Sequence, residues 1–172
     1  MGISLAPVLG NILTPIVGPI YSALGADPAM FATTLLANDM GGAPLALGMA
    51  KNPEAGRLAA FILGSMLGPT IVFTIPVALG IIEKDDKPFL AKGILAGITT
   101  IPLGVLAGGL VAGFPIGLIL VNLIPIIIVS ALIILGLIFI PEKMTKGFAI
   151  FGQAVVIIIT IGLVAAIIQE LT

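Results

Sequence analysis

Residues 116–140 have the sequence IGLILVNLIPIIIVSALIILGLIFI, an apolar run without a charged side chain. At about 1.5 Å per residue, a helix of this length measures about 37 Å and would cross a hydrocarbon core of about 30 Å. A strand of a membrane barrel would alternate apolar and polar residues, and this run does not. Its backbone hydrogen bonds must be made within the segment, so the run is predicted to form a membrane-spanning helix.

The composition of the whole chain agrees with that stretch. Of its 172 residues, 59% are hydrophobic and 9% are charged, whereas about 25% are charged in ordinary soluble domains. The mean hydropathy is +1.32. Too little polar surface is available to cover a water-soluble globule of this size. The sequence therefore excludes a soluble monomer and predicts the lipid bilayer as the solvent of the protein.

Further apolar stretches, separated by short polar breaks, flank the first one. Together they cover residues 3–24, 28–50, 58–82, 89–113, 116–140 and 148–168. We expect a single transmembrane domain over residues 1–172. The predicted fold class is an all-α, polytopic helical membrane protein with about five to six membrane segments, at least one of them broken or re-entrant. Its expected location is the cell (cytoplasmic or inner) membrane, with multiple passes.

The basic residues suggest which stretch is re-entrant. Two of them, Lys51 and Arg57, precede the third stretch, and five follow it: Lys84, Lys87, Lys92, Lys143 and Lys146. A spanning third stretch would divide them two to five between the two sides. If the third stretch folds back at Gly68-Pro69 as a re-entrant hairpin, all seven lie together, which fits the positive-inside rule better. This distribution indicates a re-entrant third segment with the charged loops in the cytoplasm.

Missing residue types exclude several kinds of chemistry. The chain has no His and no Cys, which excludes imidazole bases, thiol nucleophiles, disulfides and Cys/His metal sites. The net charge is −1 and no basic run is present, so nucleic acid is not an expected partner. No acid–base pair or nucleophile constellation is visible. We therefore expect neither an enzyme nor a cofactor.

The polar pair Asn38-Asp39 interrupts the second apolar stretch near its middle. Gly41 and Gly42 follow it, with a proline two residues later, and these residues weaken a helix. A charged side chain at such a depth costs about 2.5–3.5 kcal/mol on insertion scales. Broken helices at the bilayer midplane form the substrate sites of many transporters. We interpret Asp39 as a buried binding residue; the alternative is an external loop in which it is solvated.

Asp27 is a contrasting acid, because it directly precedes Pro28 at a predicted helix start. Aspartate is a favoured N-cap residue, and proline is favoured at the first helical position. Capping is therefore the preferred role of Asp27. Since asparagine caps about as well as aspartate, the substitution Asp27→Asn is expected to be mild.

Three further polar residues are candidates for supporting contacts around a binding site. Thr70 and Thr74 lie next to the Gly68-Pro69 break, and Asn122 lies three residues before Pro125. Each is therefore close to a point where the backbone of a helix is weakened. Most polar side chains at such depth satisfy backbone carbonyls or bridge helices.

Glycines four residues apart recur along the chain. Such spacing lets two helix backbones approach closely in lipid. Tight packing within the chain is the favoured explanation, and a dimer interface is the alternative. The pairs are Gly64/Gly68, Gly93/Gly97, Gly104/Gly108 and Gly109/Gly113.

The residues around Asp39 resemble a known family. Residues 38–42 (NDMGG), preceded by 30–32 (MFA) and 35–37 (LLA), resemble the EutH family of ethanolamine transport proteins, found in ethanolamine-utilisation gene clusters. Matches continue in order through residues 63–73, 75–83, 95–98, 107–112 and 139–144. Family members are typically longer, so this is expected to be a partial-length chain and part of a longer family domain. The family usually has an aromatic residue where this sequence has Ala43.

The resemblance implies a transporter or facilitator for ethanolamine, with ethanolamine and the lipid bilayer as partners. Asp39 would face the ammonium group, Asn38 would hydrogen-bond the hydroxyl, and carbonyls near Gly41 and Gly42 would complete the coordination. A homo-oligomer or a complementary membrane chain would complete the pathway. The rival interpretations are a non-transporting membrane subunit that packs through its Gly-x-x-x-Gly faces, and a truncated, inactive relic.

Overall fold

Helices account for all regular secondary structure in the part of the chain that the computed structural model describes. This part comprises residues 5–74, 77–78, 81–144, 146–147 and 150. The predicted stretch 148–168 lies outside it except for Ile150. The all-α fold class is thus confirmed for the described residues. In chain order the helices are α1 (Leu5–Ala23), α2 (Ala29–Leu35), α3 (Gly42–Met49), α4 (Pro53–Arg57), α5 (Leu67–Pro69), α6 (Lys87–Val111) and α7 (Ile116–Phe139).

The second apolar stretch turns back on itself. Its two helices, α2 and α3, pack against each other. The carboxylate of Asp27, just before α2, accepts hydrogen bonds from the backbone N–H groups of Lys51 (3.0 Å) and Asn52 (2.8 Å), just after α3. The two ends of the stretch therefore lie together. We call residues 27–52 the hairpin, residues 36–41 its tip, and Asp27, Lys51 and Asn52 its feet.

The arms of the hairpin are too short to cross a bilayer. Helix α2 has seven residues and α3 has eight, which correspond to about 10 and 12 Å. The break between them falls at Asn38–Met40, a 3₁₀ turn. The predicted interruption of the second stretch is therefore confirmed, and its consequence is a reversal of the chain.

The third stretch follows one irregular helical path, residues 53–74, which we call the central segment. After α4 come a π-helical turn (Leu58–Ile62), a 3₁₀ turn (Leu63–Ser65), α5 and a second π-helical turn (Thr70–Thr74). Met66 and Thr70, on either side of α5, both have right-handed helical backbone angles. The path therefore continues through Gly68-Pro69. The predicted reversal of the third segment at this point is wrong, and the reversal occurs in the second stretch.

Gly68 serves close packing rather than a turn. A Cβ atom on Gly68 would collide with the carbonyl oxygen of Leu36 in the tip, and one on Gly64 would lie 3.0 Å from Cγ2 of Thr33. The two glycines thus allow the central segment to touch the backbone of the hairpin. Packing within the chain, the favoured explanation for this glycine pair, is confirmed.

Helix α6 lies antiparallel to the central segment. A Cβ atom on Gly104 would be 3.0 Å from Sδ of Met66, and one on Gly109 would be 3.2 Å from Cδ1 of Leu58. Sites later in α6 thus face sites earlier in the central segment. Gly93 and Gly97, by contrast, have no atom within 4 Å of such a Cβ in the described part of the chain.

This packing fixes the two ends of the bundle. The guanidinium carbon of Arg57 lies 6.0 Å from the ring centroid of Phe114, just after the end of α6. Lys87 begins α6, 25 residues and about 37 Å away. The prediction that all seven basic residues lie together is therefore wrong, because Arg57 lies at one end of α6 and Lys87 at the other. The fold gives the two-to-five distribution, with Lys51 and Arg57 at one end and Lys84, Lys87, Lys92, Lys143 and Lys146 towards the other.

The tip of the hairpin lies at the level of the middle of α7. A Cβ atom on Gly109 would contact both Leu58 and Ile119, so these two residues lie at about the same height. The tip touches Gly64 and Gly68, which are about 9 and 15 Å beyond Leu58 at 1.5 Å per residue. The same advance along α7 from Ile119 reaches residues 125–129. The tip is therefore halfway along a helix of 24 residues.

Among the described residues, α7 is the one helix that is both long and apolar enough to cross a membrane. Ala96–Val111, within α6, is a shorter apolar helix. The largest fully buried side chains of the central segment form the core with residues of α2, α6 and α7. The largest fully buried apolar residues are Leu58, Leu63, Leu67 and Ile71 of the central segment, Met30 of α2, Ile98 and Val105 of α6, and Ile119 and Ile126 of α7.

The path of the central segment predicts the accessibility of two single cysteines. Lys51 and Asp86 are exposed and belong to opposite ends of the bundle. We expect Lys51→Cys and Asp86→Cys to react from opposite sides of the membrane with an impermeant thiol reagent. The chain has no cysteine of its own, so the parent protein is the unlabelled control. Labelling of both positions from the same side would contradict this path.

The contact between the tip and the central segment predicts a contrast between two glycines. Gly68→Ala forces a methyl group against the Leu36 carbonyl and should destabilise the protein by about 1–3 kcal/mol, the usual cost of overpacking. Gly97→Ala adds the same methyl group in α6, where the site is open. It should be neutral or stabilise the helix by up to about 1 kcal/mol. Thermal unfolding in detergent measures both, and equal effects would refute the contact.

Candidate functional site at the hairpin tip

The tip has a backbone that glycine makes possible. The N–H groups of Met40 (3.1 Å) and Gly42 (3.0 Å) both donate to the carbonyl oxygen of Ala37, which closes the turn. Gly41 has φ +90°, a left-handed conformation that glycine adopts at little cost. A Cβ atom on Gly42 would lie 2.5 Å from the carbonyl oxygen of Ala37. Both positions in the paired-glycine motif therefore require glycine, for different reasons.

Two polar side chains occupy the tip. Asn38 is half-buried, and its Oδ1 accepts a hydrogen bond from the backbone N–H of Asp39 at 2.8 Å. Its Nδ2 donates no hydrogen bond within the described part of the chain. Asp39 is exposed, and none of the described basic residues forms an ion pair with it. A carboxylate and an amide donor group are thus adjacent at the turn.

Asp39 lies at mid-height of the bundle, but it is not buried. The flanking apolar residues predicted a position near the middle of the membrane segment, and in the structure the tip is level with the middle of α7. They also predicted burial, whereas Asp39 lies on the surface of the described helices. The reason is geometric: the chain reverses at this point, so the turn presents its side chain outward from the end of two short arms.

The other predicted site residues divide between the two ends of the hairpin. Thr70 follows Gly68, which touches the tip, and its hydroxyl donates to the carbonyl oxygen of Met66 at 2.8 Å. Thr74, one turn further, is exposed. Asn122 is not at the tip: its Oδ1 accepts from the backbone N–H of Asp27 at 2.8 Å, at the feet. The structure therefore brings Asn38, Asp39, Gly41 and Gly42 together and leaves Asn122 elsewhere.

Sequence reasoning missed Thr33, which lies in α2 close to the tip. Its side chain is fully buried, and its hydroxyl has no hydrogen-bond partner within the described residues. A Cβ atom on Gly64 would touch both Thr33 and Asn38. The Gly64/Gly68 pair was a partial signal, because closely spaced glycines indicate that another helix packs against them. The sequence does not show that this helix is α2 and that Thr33 is the residue in contact.

A cavity of about 410 Å³ lies at the feet of the hairpin. Asp27, Lys51 and Asn122 are among its lining residues. The Nζ of Lys51 donates to the hydroxyl of Ser22 at 2.8 Å. A small cation in this cavity would meet the like charge of Lys51, and the Asp27 carboxylate is already occupied by backbone donors. The tip offers an acid without a neighbouring ammonium group, so it is the better candidate site for a cation.

The donor set of the described residues does not suggest a metal centre. Within the described ranges, no group of three or more acidic residues lies close enough to hold a metal ion. One exposed carboxylate, one amide and the backbone groups of a turn suit an organic cation that can also hydrogen-bond.

Comparison with known proteins identifies the family. The family described as "Ethanolamine utilisation protein, EutH" matches residues 1–172. A protein of Listeria monocytogenes serotype 1/2a (strain 10403S) named "Probable ethanolamine permease EutH" is 69% identical over 170 residues, which are 99% of this chain and 46% of that protein. A protein of the same name from Escherichia coli (strain K12) is 55% identical over 181 residues, covering 98% of this chain and 44% of that protein.

A third relative is "Uncharacterized protein YxeR" of Bacillus subtilis (strain 168). It is 55% identical over 170 residues, which are 99% of this chain and 46% of that protein. The chain thus spans a little under half the length of these relatives. No solved structure matches it. The match over the full chain and the high identities show that the protein belongs to the EutH family of ethanolamine utilisation proteins.

Proposed function

We propose that the protein is a multi-pass membrane permease or facilitator for ethanolamine, with the hairpin tip as its substrate site. The observation that carries the proposal is the exposed carboxylate of Asp39 at mid-height of the bundle, on a turn between two short helices. The names of the relatives, "Probable ethanolamine permease EutH", support ethanolamine as the substrate. The family's association with permeases also supports a transport role rather than an enzymatic one.

Each group of ethanolamine has a counterpart at the tip. The ammonium group pairs with the Asp39 carboxylate, because an isolated charge in low dielectric is costly without a partner. The hydroxyl accepts a hydrogen bond from the Asn38 amide. Carbonyl groups beside Gly41 and Gly42 take the remaining ammonium protons; the Gly41 carbonyl already accepts from the N–H of Leu45 at 3.2 Å and would use its second lone pair. Thr70 and Thr74, on the central segment after Gly68, are proposed as supporting residues of the site.

We infer a membrane placement from the charges at the two ends of the bundle. The proposed arrangement has α1, the central segment, α6 and α7 across the bilayer, with the second stretch re-entrant. The end with five lysines faces the cytoplasm by the positive-inside rule. The feet of the hairpin and the cavity beside them then face the outside. The hairpin thus enters the membrane from the side on which ethanolamine is supplied.

Enclosure of Asp39 requires protein beyond the described helices, since the residue is exposed on them. We propose that a second copy of the chain or a complementary membrane chain supplies the missing wall. The rival role, a non-transporting subunit that packs through Gly-x-x-x-Gly faces, has less support. Gly64, Gly68, Gly104, Gly108 and Gly109 are already used for contacts within the chain, and Gly93/Gly97 is the one predicted pair with both positions open among the described residues.

The first test of the site is Asp39→Asn. Removal of the charge should weaken ethanolamine binding by about 10- to 100-fold, the usual worth of a charge-assisted hydrogen bond. The matched control is Asp85→Asn, which changes the net charge equally at an exposed position far from the tip, at the end of the bundle with the five lysines. Scintillation proximity with labelled ethanolamine measures binding to the purified chain and to liposomes that contain it. Unchanged affinity in Asp39→Asn would refute the assignment of the site.

The second test uses the chemistry of the substrate. A primary amine has a pKa near 10.4, as lysine does, and the hydroxyl lowers it somewhat. One ethanolamine molecule in ~10³ is therefore neutral at pH 7 and one in ~10⁵ at pH 5. Only the neutral form crosses lipid readily, because an unpaired charge is costly to bury. The protein should matter most in acidic medium with scarce ethanolamine.

Growth on ethanolamine from pH 5 to pH 8, with and without the intact gene, measures this dependence. The advantage conferred by the gene should decline as the pH rises, because passive entry of the neutral amine increases tenfold per unit. An advantage that is constant or that grows towards pH 8 would count against uptake of the cation.

A further inference from the structure

Asp27 holds together parts of the chain that are distant in sequence. Its Oδ1 accepts from the backbone N–H of Ala29 (2.9 Å), and its Oδ2 accepts from those of Lys51 (3.0 Å) and Asn52 (2.8 Å). Its own N–H donates to Oδ1 of Asn122 in α7, 95 residues away (2.8 Å). One residue thus joins the start of α2, the end of α3 and α7.

The bonds of Asp27 go beyond those of a helix cap. The bond to Ala29 resembles the predicted capping interaction, although α2 begins at Ala29 with Pro28 rather than Asp27 as its N-cap residue. The two bonds to Lys51 and Asn52 need a second acceptor oxygen. Asparagine has a single side-chain oxygen, and its NH₂ group would face one or two backbone N–H donors. Asp27 and Asn122 are 8% and 5% exposed, so the lost bonds leave largely buried groups without partners unless water from the cavity at the feet reaches them. The mild effect expected for Asp27→Asn does not fit this geometry.

The feet are fixed by these four bonds, whereas the tip is held by packing alone. The described contacts of the tip with the central segment are van der Waals contacts at Gly64 and Gly68. The height at which Asp39 stands is therefore set by the feet and by the lengths of the two arms. A shift at the feet is carried to the tip, because each arm is a helix of only about two turns.

We propose that Asp27 is a positioning residue that places Asp39 in the substrate pathway by fixing the feet of the hairpin to α7. The expected effect of Asp27 on ethanolamine binding rests on the proposed function. Its expected effect on the position of the hairpin tip does not. Asp27 does not touch the substrate. It acts through the geometry of the tip.

Single cysteines provide a readout of the tip that needs no substrate. Ala37 lies in the tip and is 2% exposed, and Ala59 lies in the central segment and is fully buried. In separate proteins that each carry Ala37→Cys or Ala59→Cys, the rate of modification by a small maleimide reports the protection of that site. The chain has no other cysteine.

In the presence of Asp27→Asn, the modification rate at position 37 should rise at least tenfold, while that at position 59 stays unchanged. Asn122→Ala should raise the rate at position 37 by less, since it removes one of the four bonds. It is the variant to measure if Asp27→Asn does not fold. Asn52→Ala is the control, because it removes a side-chain cap of α4 and leaves the Asp27 bonds in place. An unchanged rate at position 37, or an equal rise at both positions, would overturn the proposal.

Binding of labelled ethanolamine supplies the second readout. Asp27→Asn should weaken binding about tenfold in the parent chain and have no further effect in the Asp39→Asn background, because a residue that acts only through Asp39 is not additive with it. Additive losses would assign Asp27 a general structural role and overturn the proposal. A parent chain that binds no ethanolamine would instead refute the proposed function, and the maleimide rates would still test the positioning of the tip.

Discussion

The structure depends on how one buried carboxylate is stabilised. An isolated charge in an apolar interior is costly, and Asp27 avoids that cost by accepting three backbone hydrogen bonds. The same bonds satisfy N–H groups at helix ends, which would otherwise lack partners in a low-dielectric environment. Because these donors come from both ends of the second apolar stretch, the hydrogen bonds that stabilise the charge also close the hairpin. The depth of the tip and the exposure of Asp39 follow from that closure.

The sequence predicted the elements of the fold better than their arrangement. Apolar runs located the helices, and Asn38-Asp39 followed by two glycines located the break, because helix propensity and hydrophobicity are local properties. Whether a broken stretch crosses or returns is decided by contacts between its ends. Lys51 and Asn52 reach Asp27 across 24 and 25 residues, and no local pattern encodes such a pairing. A two-armed hairpin and a spanning helix can have the same number of apolar residues.

Gly68-Pro69 illustrates an ambiguity of composition. Glycine followed by proline is typical of turns, and the distribution of lysines favoured a reversal there. In the structure, Gly68 instead gives room to the Leu36 carbonyl, and the helical path continues. Glycine is suited both to a turn and to a close contact with another backbone, because it has no side chain. Only the structure around Gly68 shows which of the two applies. The position of Asn122 was missed for a similar reason: nearness to Pro125 in sequence says nothing about which end of the hairpin it meets.

The contact between Asp27 and Asn122 also constrains the order in which the protein is assembled. Helices of seven and eight residues are not stable alone, so the arms depend on neighbours that are synthesised later. At about 5–20 residues per second, the 95 residues that separate Asp27 from Asn122 take about 5–20 seconds to translate. During that interval the Asp27 N–H has no Asn122 to bind. The hairpin, although made among the first residues of the chain, takes its final place only after α7 has emerged.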